Sequence, residues 1–467
     1  MKSNFKKTLL ANLLLGVGAL SITAPAQAVS LSQDGLGQVL IYPYYTVRGG
    51  FDTYLSVVNH TDKPKALNLR FREGKNGREV LDFNIYLAAK DIWTAAVTAT
   101  ADGAKIITAD KSCTYPAIPA GGQAFANFAF TDAVVPGIRN WGGDGETQSL
   151  DRTREGYFEI IEMGTITNTA ITAAMTHTSG VPANCDLVQM SNMSLDAGAT
   201  AAAPPSGGLS GTATLINVAA GTDYSYDPVV LSGFSNVNIW SHPGSLTPNL
   251  SLATPKTSLV LHNDEAVSST WAKGEDAVSA LMMHDTLLNE FVLDTATLSG
   301  TDWVVTMPTK HFYVPVEGDM SFPSAPFIKE FHAGGACEFA TNAYQPYWGR
   351  EGNGYSLGGV WGVPPAVPAF ELCWESSVVT FNNSAVLASS NSANFDVQPA
   401  NGWATFLFSG YGSVTIPTLS SLNGDTYVGL PTIGFMVQDF VNGNVNGLLS
   451  NYGGSFRHKY TSNINGH

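Results

Sequence analysis

The amino-acid sequence predicts an all-β fold made mainly of antiparallel β-sandwich units, with one helical insertion and two disulfide staples. Short runs of residues alternate between apolar and polar side chains and are separated by Gly- and Asn-rich turns. Charged residues make up only 13% of the chain, which is typical of turn-rich β proteins. Four cysteines, an even number, favour disulfides in an exported chain.

Residues 1–28 have the features of a secretory signal peptide. Three lysines precede an apolar stretch from Leu9 to Leu20, and Ala26 and Ala28 form an A-x-A cleavage pattern. We therefore expect an exported protein, in the medium or on the cell surface rather than in the periplasm. No later stretch approaches ~18 uninterrupted apolar residues, so we expect no transmembrane segment after signal cleavage.

The chain is acidic, with a formal net charge of −15. Loss of the three signal-peptide lysines makes the remainder more negative still, which argues against nucleic acid as a partner. The length favours more than one domain. We predict a β-sandwich-like domain over 29–195, a low-complexity loop or linker over 196–211, and a β-rich domain over 212–467.

The clearest local pattern is a hairpin over residues 65–87. Two alternating runs flank the turn "EGKNG", and the register that places Phe71 opposite Leu81 also places Arg70 opposite Asp82. We expect the Arg70 side of this hairpin to face solvent. Residues 53–58 are expected to pair with it as a third strand of the same sheet.

Further strands are predicted along the rest of the chain. The runs that indicate them include "GQVLIYPYYTV", "WTAAVTAT", "QAFANFAF", "YFEIIEM", "GTATLINVA", "SLVLH", "DWVVTM", "SSVVTFN", "WATFLFSG" and "TIGFMVQDF". One segment, 275–294, shows a helical stripe of Ala277, Leu281, Leu288 and Phe291, and it is the predicted helical insertion.

The cysteines are expected to pair with their neighbours in sequence, which is the favoured one of three connectivities. The predicted disulfides are Cys113–Cys185 and Cys337–Cys373. No C-x-x-C pair or Cys/His cluster suggests zinc instead.

One acidic loop, "NWGGDGETQSLD", is a candidate calcium site. Asp144, Glu146 and Asp151 offer the oxygen ligands that calcium prefers, although the loop lacks the EF-hand register. Calcium is the one cofactor that the sequence suggests.

No set of residues in the sequence indicates catalysis. "GYSLG" matches G-x-S-x-G around Ser356, but no strand precedes it and no helix follows it. Glu159 and Glu162 lie three residues apart in a predicted strand, so they are expected to point to opposite faces. No catalytic residue is assigned, and a non-enzymatic role is favoured.

Aromatic residues concentrate in one Gly-rich region, and they are Tyr344, Tyr347, Trp348, Tyr355 and Trp361. Flat rings in a loop can contact the apolar faces of sugars, or they can pack inward over the edge of a core. Both interpretations stay open at this point.

The favoured function is that of a secreted, non-enzymatic surface, matrix or envelope protein with a structural or adhesive role. Such a protein would associate with itself or with cell-envelope components. The alternative is a secreted carbohydrate-binding or carbohydrate-degrading protein that uses the aromatic region between Tyr344 and Trp361.

Overall fold

The computed structural model describes residues 28–132, 143–193, 201–316, 321–341, 346–356, 370–408 and 416–466. The predicted signal peptide, apart from Ala28, lies outside these ranges, as do Tyr344 and Trp361. Antiparallel strands dominate the described chain, which confirms the predicted fold class. No helix among these ranges has the length and apolar character needed to cross a membrane.

Residues 29–270 form the first series of strands. They are β1 (Val29–Leu31), β2 (Val39–Thr46), β3 (Asp52–Asn59), β4 (Lys65–Glu73), β5 (Glu79–Leu87), β6 (Ile92–Ala99), β7 (Ala104–Ile107), β8 (Cys113–Tyr115), β9 (Gln123–Ala124), β10 (Glu155–Ile166), β11 (His177–Thr178), β12 (Val181–Pro182), β13 (Ala202–Ala203), β14 (Leu209–Asn217), β15 (Thr222–Tyr226), β16 (Val229–Ser232), β17 (Thr257–His262) and β18 (Glu265–Thr270).

Residues 283–465 form the second series. They are β19 (Met283–His284), β20 (Thr286–Val292), β21 (Gly300–Thr306), β22 (Phe339–Thr341), β23 (Pro346–Gly349), β24 (Gly354–Ser356), β25 (Phe370–Leu372), β26 (Ser376–Phe381), β27 (Ser392–Phe395), β28 (Asn401–Leu407), β29 (Thr418–Ser420), β30 (Thr426–Val428), β31 (Leu430–Pro431), β32 (Ile433–Val445), β33 (Leu448–Arg457), β34 (Lys459–Thr461) and β35 (Asn463–Asn465). The α-helices are α1 (Thr169–Met175), α2 (Cys185–Met193) and α3 (Gly274–Ala280).

Two sheets enclose the first core. The larger sheet has ten strands, in the order β18-β17-β1-β16-β2-β10-β4-β5-β8 with β13 added on β10, and the smaller has the order β15-β14-β3-β6-β7-β9. Apolar residues of β4, such as Leu67 and Leu69, meet residues of β3 and β6, such as Leu55 and Trp93. The two sheets stabilise each other because each removes the apolar face of the other from water.

Two five-stranded sheets build the second half. Their orders are β24-β23-β28-β20-β34 and β27-β26-β21-β32-β33. Trp303 of β21 packs with Phe381 and Phe406 in the core between them. The next residue of β21, Val304, points to the other face and joins the first core together with Phe435. The β27-β26-β21-β32-β33 sheet therefore contributes to both cores, and the two cores pack on its opposite faces.

The predicted hairpin over 65–87 is confirmed, including its register. Phe71 lies opposite Leu81 and Arg70 lies opposite Asp82 across β4 and β5. The third strand was predicted wrongly. Residues 52–59 pair with β6 and β14 in the smaller sheet, and they meet β4 across the core instead of beside it.

The predicted helix over 275–294 is wrong after residue 280. Helix α3 ends at Ala280, and β20 follows over Thr286–Val292. Leu288 and Phe291, which shared the helical stripe, point to opposite faces of that strand, and Phe291 is buried while Leu288 is half-buried. Pairing with β28 along seven positions outweighs the local helical pattern.

The predicted domain boundary at 196–211 does not separate the sheets. Strand β14 begins at Leu209 and pairs with β3, and β16 pairs with β2. The chain up to Thr270 therefore completes the larger sheet. Both predicted disulfides, Cys113–Cys185 and Cys337–Cys373, are confirmed.

Candidate functional site

The face of the larger sheet that carries Arg70 is buried, although the sequence predicted it to face solvent. We call this the polar face, and its members include Asn68, Arg70, Arg72, Asp82, Asn84 and Glu159. The side chains of Arg70 and Asp82 are each only 1% exposed, and their charged atoms lie 2.8 Å apart. This ion pair is therefore an internal contact of the protein.

A segment around residues 241–249 covers the polar face. The guanidinium of Arg70 donates hydrogen bonds to the backbone carbonyls of Ser245, Leu246 and Pro248 at 2.7, 3.1 and 2.9 Å. It also lies 3.0 Å from Glu79. Because a buried guanidinium needs acceptors for its N–H groups, these three carbonyl contacts hold the covering segment on the sheet.

The acids of the candidate calcium loop contact cations of this chain. Asp144 is buried, and both of its oxygens accept hydrogen bonds from Arg152, at 3.0 and 2.8 Å. Burial raises the pKa of Asp144, but the hydrogen bonds and charge of Arg152, together with hydrogen bonds from the Glu146 N–H and Asn76, bring that pKa below its usual value. Glu146 pairs with Lys75.

Asp151, the third acid of that loop, pairs with Arg48 and Arg154 at 2.8 and 3.0 Å. The three acids therefore stand beside three different sets of cations. Within the described ranges, one group of three metal-ligand side chains lies within 4.8 Å of one another, and it consists of Cys337, Glu371 and Cys373. The two sulfurs of that group are joined in a disulfide.

A second buried network joins the two halves of the protein. The Tyr157 hydroxyl donates a hydrogen bond to Glu375 at 2.6 Å, and Nδ1 of His311 lies 2.7 Å from the same carboxylate oxygen. Beside them, Arg72 lies 3.3 Å from Glu159. Burial lowers the pKa of His311 despite its acidic neighbour, which favours a neutral ring at neutral pH.

Glu159 and Glu162 contact different cations. Glu159 contacts Arg72, whereas Glu162 lies 2.8 Å from Lys65 and accepts backbone N–H bonds from Ser206 and Gly207. The two carboxylates therefore lie in separate ion pairs of the larger sheet.

The aromatic region divides between two faces of its sheet. Tyr347 is buried in the second core and stacks on the half-buried Tyr355, with ring centroids 5.3 Å apart. Trp348, the next residue of β23, points to the opposite face. Tyr344 and Trp361 fall outside the described residues, so the structure places three of the five predicted aromatics.

Trp348 stacks on a residue that the sequence reasoning missed. The ring of Trp403, on the neighbouring strand β28, lies parallel to it at 4.0 Å between centroids. Trp403 is 39% exposed. A local sequence signal could not find this partner because 55 positions separate the two tryptophans, and only strand pairing brings them together. We call Trp348 and Trp403 the indole pair.

A small cleft lies at the end of the β23–β24 hairpin. We call it the hairpin cleft; it has a volume of about 310 Å³, and its lining includes Asp294, Arg350, Glu351, Asn353, Tyr355 and Asn401. Glu351 and Arg350 contact each other at 3.0 Å and are mostly exposed. The cleft thus combines one aromatic ring with amides, carboxylates and a guanidinium that remain accessible.

Comparisons with known proteins do not assign the chain. No family model matches it, and neither curated proteins nor solved structures show a significant match.

Proposed function

We propose that this chain is an exported, non-enzymatic surface or envelope protein that adheres to glycans through the hairpin cleft. The cleft is the observation that carries the proposal. Sugars present an apolar face and a rim of hydroxyls, and the cleft offers the ring of Tyr355 beside the amides of Asn353 and Asn401. Its volume of about 310 Å³ lies at the small end of the ligand-pocket range.

The polar residues of the cleft suit hydroxyl recognition. Asp294 and Glu351 can accept hydrogen bonds, Arg350 can donate them, and the two amides can do both. The amide of Asn353 belongs to an exposed residue at the tip of the hairpin. A short saccharide is therefore the ligand class that we propose.

The proposal of a non-enzymatic role rests on the ion pairs that the carboxylates of the larger sheet form. Glu159 and Glu162 neutralise buried cations, and Glu73 pairs with Arg152 at 3.1 Å. These groups hold loops against a sheet, which is a structural task. The signal-like residues 1–28 support the exported location.

A glycan array tests the binding proposal. We expect the wild-type protein to retain a defined set of saccharides and Tyr355→Ala to bind them at least about tenfold more weakly, because stacking is lost. Asn353→Ala should weaken binding several-fold without affecting the fold, since this side chain is exposed. Tyr54→Ala, an exposed tyrosine on β3, is the matched control.

Two outcomes would contradict this proposal. One is an array on which the wild-type protein retains no glycan above background. The other is equal retention by Tyr355→Ala and wild type. Fractionation of the producing cells tests the location separately, and a chain found in the cytoplasm with residues 1–28 still attached would contradict export.

Self-association is a second candidate, favoured by the hairpin of β32 and β33. Leu448 and Tyr452 of β33 are 72% and 62% exposed. Exposed apolar side chains of this kind favour contact with a second copy of the same chain. Sedimentation velocity should show a concentration-dependent dimer that Leu448→Ser weakens, and a monomer at all concentrations would exclude this candidate.

A further inference from the structure

A large cavity lies above the turn between β4 and β5. Its volume is about 1350 Å³, and its walls come from residues 76–79, 128–132, 244–249, 311–316 and 321–324 among others. We call it the arginine cavity because Arg70, Arg72 and Arg78 all line it. Both halves of the protein line it, and it shares no lining residue with the hairpin cleft.

Two of the three arginines are already neutralised. Arg70 pairs with Asp82 and Glu79, and Arg72 pairs with Glu159. Because these acids neutralise Arg70 and Arg72, neither charge is fully available to a ligand. Arg78, the third arginine, differs in its lack of an ion-pair partner in the described part of the chain.

Arg78 has no acid of its own. Among the residues that the structure describes, no ion pair or side-chain hydrogen bond reaches its guanidinium, and its Nε atom is buried without a partner. The carboxylates that act most strongly on its charge, Asp144 and Glu73, are held by Arg152. Burial also lowers the pKa of Arg78, as expected for a cation that lacks a close counter-charge.

The carboxylates in the wall do not compensate Arg78. Glu79 is committed to Arg70, and burial raises its pKa to about 7. Asp132 accepts hydrogen bonds from the N–H of Gly143 at 2.6 Å and from Gln148 at 2.7 Å. A second cation, Lys273, also lines the cavity, and its Nζ atom lies 3.8 Å from Glu275.

Aromatic side chains make up much of the remaining wall. Phe128, Phe312 and Phe322 all line the cavity. Phe322 is 84% exposed, which is unusual for a phenylalanine, and it therefore has most of its surface free for a ligand. An inorganic ion would leave these rings unused.

We propose that the arginine cavity binds an organic anion, with an oxyanion group at Arg78 and an apolar body against Phe312 and Phe322. A guanidinium binds carboxylate, sulfate or phosphate oxygens through paired hydrogen bonds, and such pairs are strongest where water is excluded. The aromatic wall selects ligands in which the anionic group adjoins an apolar surface, such as an aromatic acid or an acidic sugar. This inference does not depend on glycan binding at the hairpin cleft.

Isothermal titration calorimetry with four probes tests this inference on the full chain. Naphthoate and galacturonate represent the two sources of organic anion, naphthamide lacks the charge, and inorganic phosphate lacks the apolar body. We expect saturable binding of naphthoate or galacturonate, which tells the two sources apart, and at least about tenfold weaker binding of naphthamide and phosphate.

Three variants locate the site. Arg78→Gln should weaken the bound anion at least about tenfold, and Arg78→Lys should recover part of the affinity because the charge is kept. Phe322→Ala, at an exposed position, should weaken the organic anion but leave phosphate unchanged. Arg457→Gln, at an arginine that pairs with Asp227 on the surface, is the control.

Three results would overturn the inference: no binding of either organic anion, equal affinity for naphthoate and naphthamide, or unchanged affinity in both Arg78→Gln and Phe322→Ala. Near-ultraviolet circular dichroism of each variant shows whether the fold is kept. If Arg78→Gln does not fold, Phe322→Ala decides the question alone.

Discussion

On the larger sheet, the face opposite the first core carries Arg70, Asp82 and Glu159, and it is buried. On the β24-β23-β28-β20-β34 sheet, the face opposite the second core carries the indole pair, and Trp403 is well exposed. The polar face is thus buried, whereas the face that carries the aromatic indole pair is partly exposed to water. Alternation along a strand tells which residues share a face, but the covering segments decide whether water reaches that face.

The largest expected effect comes from removing the charge at the centre of the polar face. Arg70→Met leaves the buried Asp82 side chain without its counter-charge and three backbone carbonyls without their donor, so we expect the free energy of unfolding to fall by roughly 3–5 kcal/mol. Arg457→Met, at an exposed ion pair, should cost less than about 1 kcal/mol. Chemical denaturation measures both, and similar losses in the two variants would show that the polar face is not buried in solution.

The two disulfides sharpen the comparison between the halves. Cys113–Cys185 closes a separation of 72 residues and Cys337–Cys373 one of 36. Each double Cys→Ser variant should lose roughly 2–5 kcal/mol, and the loss should be larger for the first by about 0.6 kcal/mol, because loop-closure entropy grows with the logarithm of length. A larger loss of unfolding free energy on removing Cys337–Cys373 would contradict the explanation by loop-closure entropy.

The second half should lose stability in acid because two of its histidines are buried as neutral rings. Burial lowers the pKa of His284 to about 3 and that of His458 to about 4. The unfolded chain therefore binds more protons than the folded chain below about pH 6.5, so stability from these rings is complete above that pH and is lost as the pH falls towards 4.

The test is the pH dependence of unfolding. His284→Asn should reduce the slope between pH 4 and 6.5 by up to about 1.4 kcal/mol per pH unit, while His332→Asn, at an exposed position, should leave it unchanged. Equal slopes in His284→Asn and wild type would show that His284 is not buried as a neutral ring.

The smallest effect concerns the indole pair. A double-mutant cycle with Trp348→Ala and Trp403→Ala should give a coupling of about 0.5–1.5 kcal/mol, the usual range for a stacked aromatic pair. A coupling near zero would mean that the two rings do not stack in solution.

Local patterns predicted most single strands and one complete hairpin register. They succeeded for β4 and β5 because the turn and both faces agree on one pairing. They failed for β3, whose partners β6 and β14 are distant in sequence, and for residues 281–294, where a helical stripe coincides with a strand. Sheet assignment depends on non-local pairing, which a local pattern does not contain.

The candidate sites were predicted less well than the fold. The sequence pointed to the aromatic region, and the structure places Tyr355 in the hairpin cleft, but Asn401 and Asp294 reach that cleft from other strands and loops. The sequence did not predict the arginine cavity because Arg78 follows a turn and no local pattern distinguishes it from other turn residues. Its lack of a counter-charge becomes visible only when the partners of Asp144 and Glu73 are known.

Hydrogen–deuterium exchange with and without the tightest glycan from the array tests the central claim most directly. That claim assigns recognition to the hairpin cleft and a structural role to the polar face. We expect added protection in residues 346–356 and 401–407, and no change in residues 65–87, which are already protected in the free protein. Protection confined to residues 65–87, or no glycan-dependent change anywhere, would contradict the account.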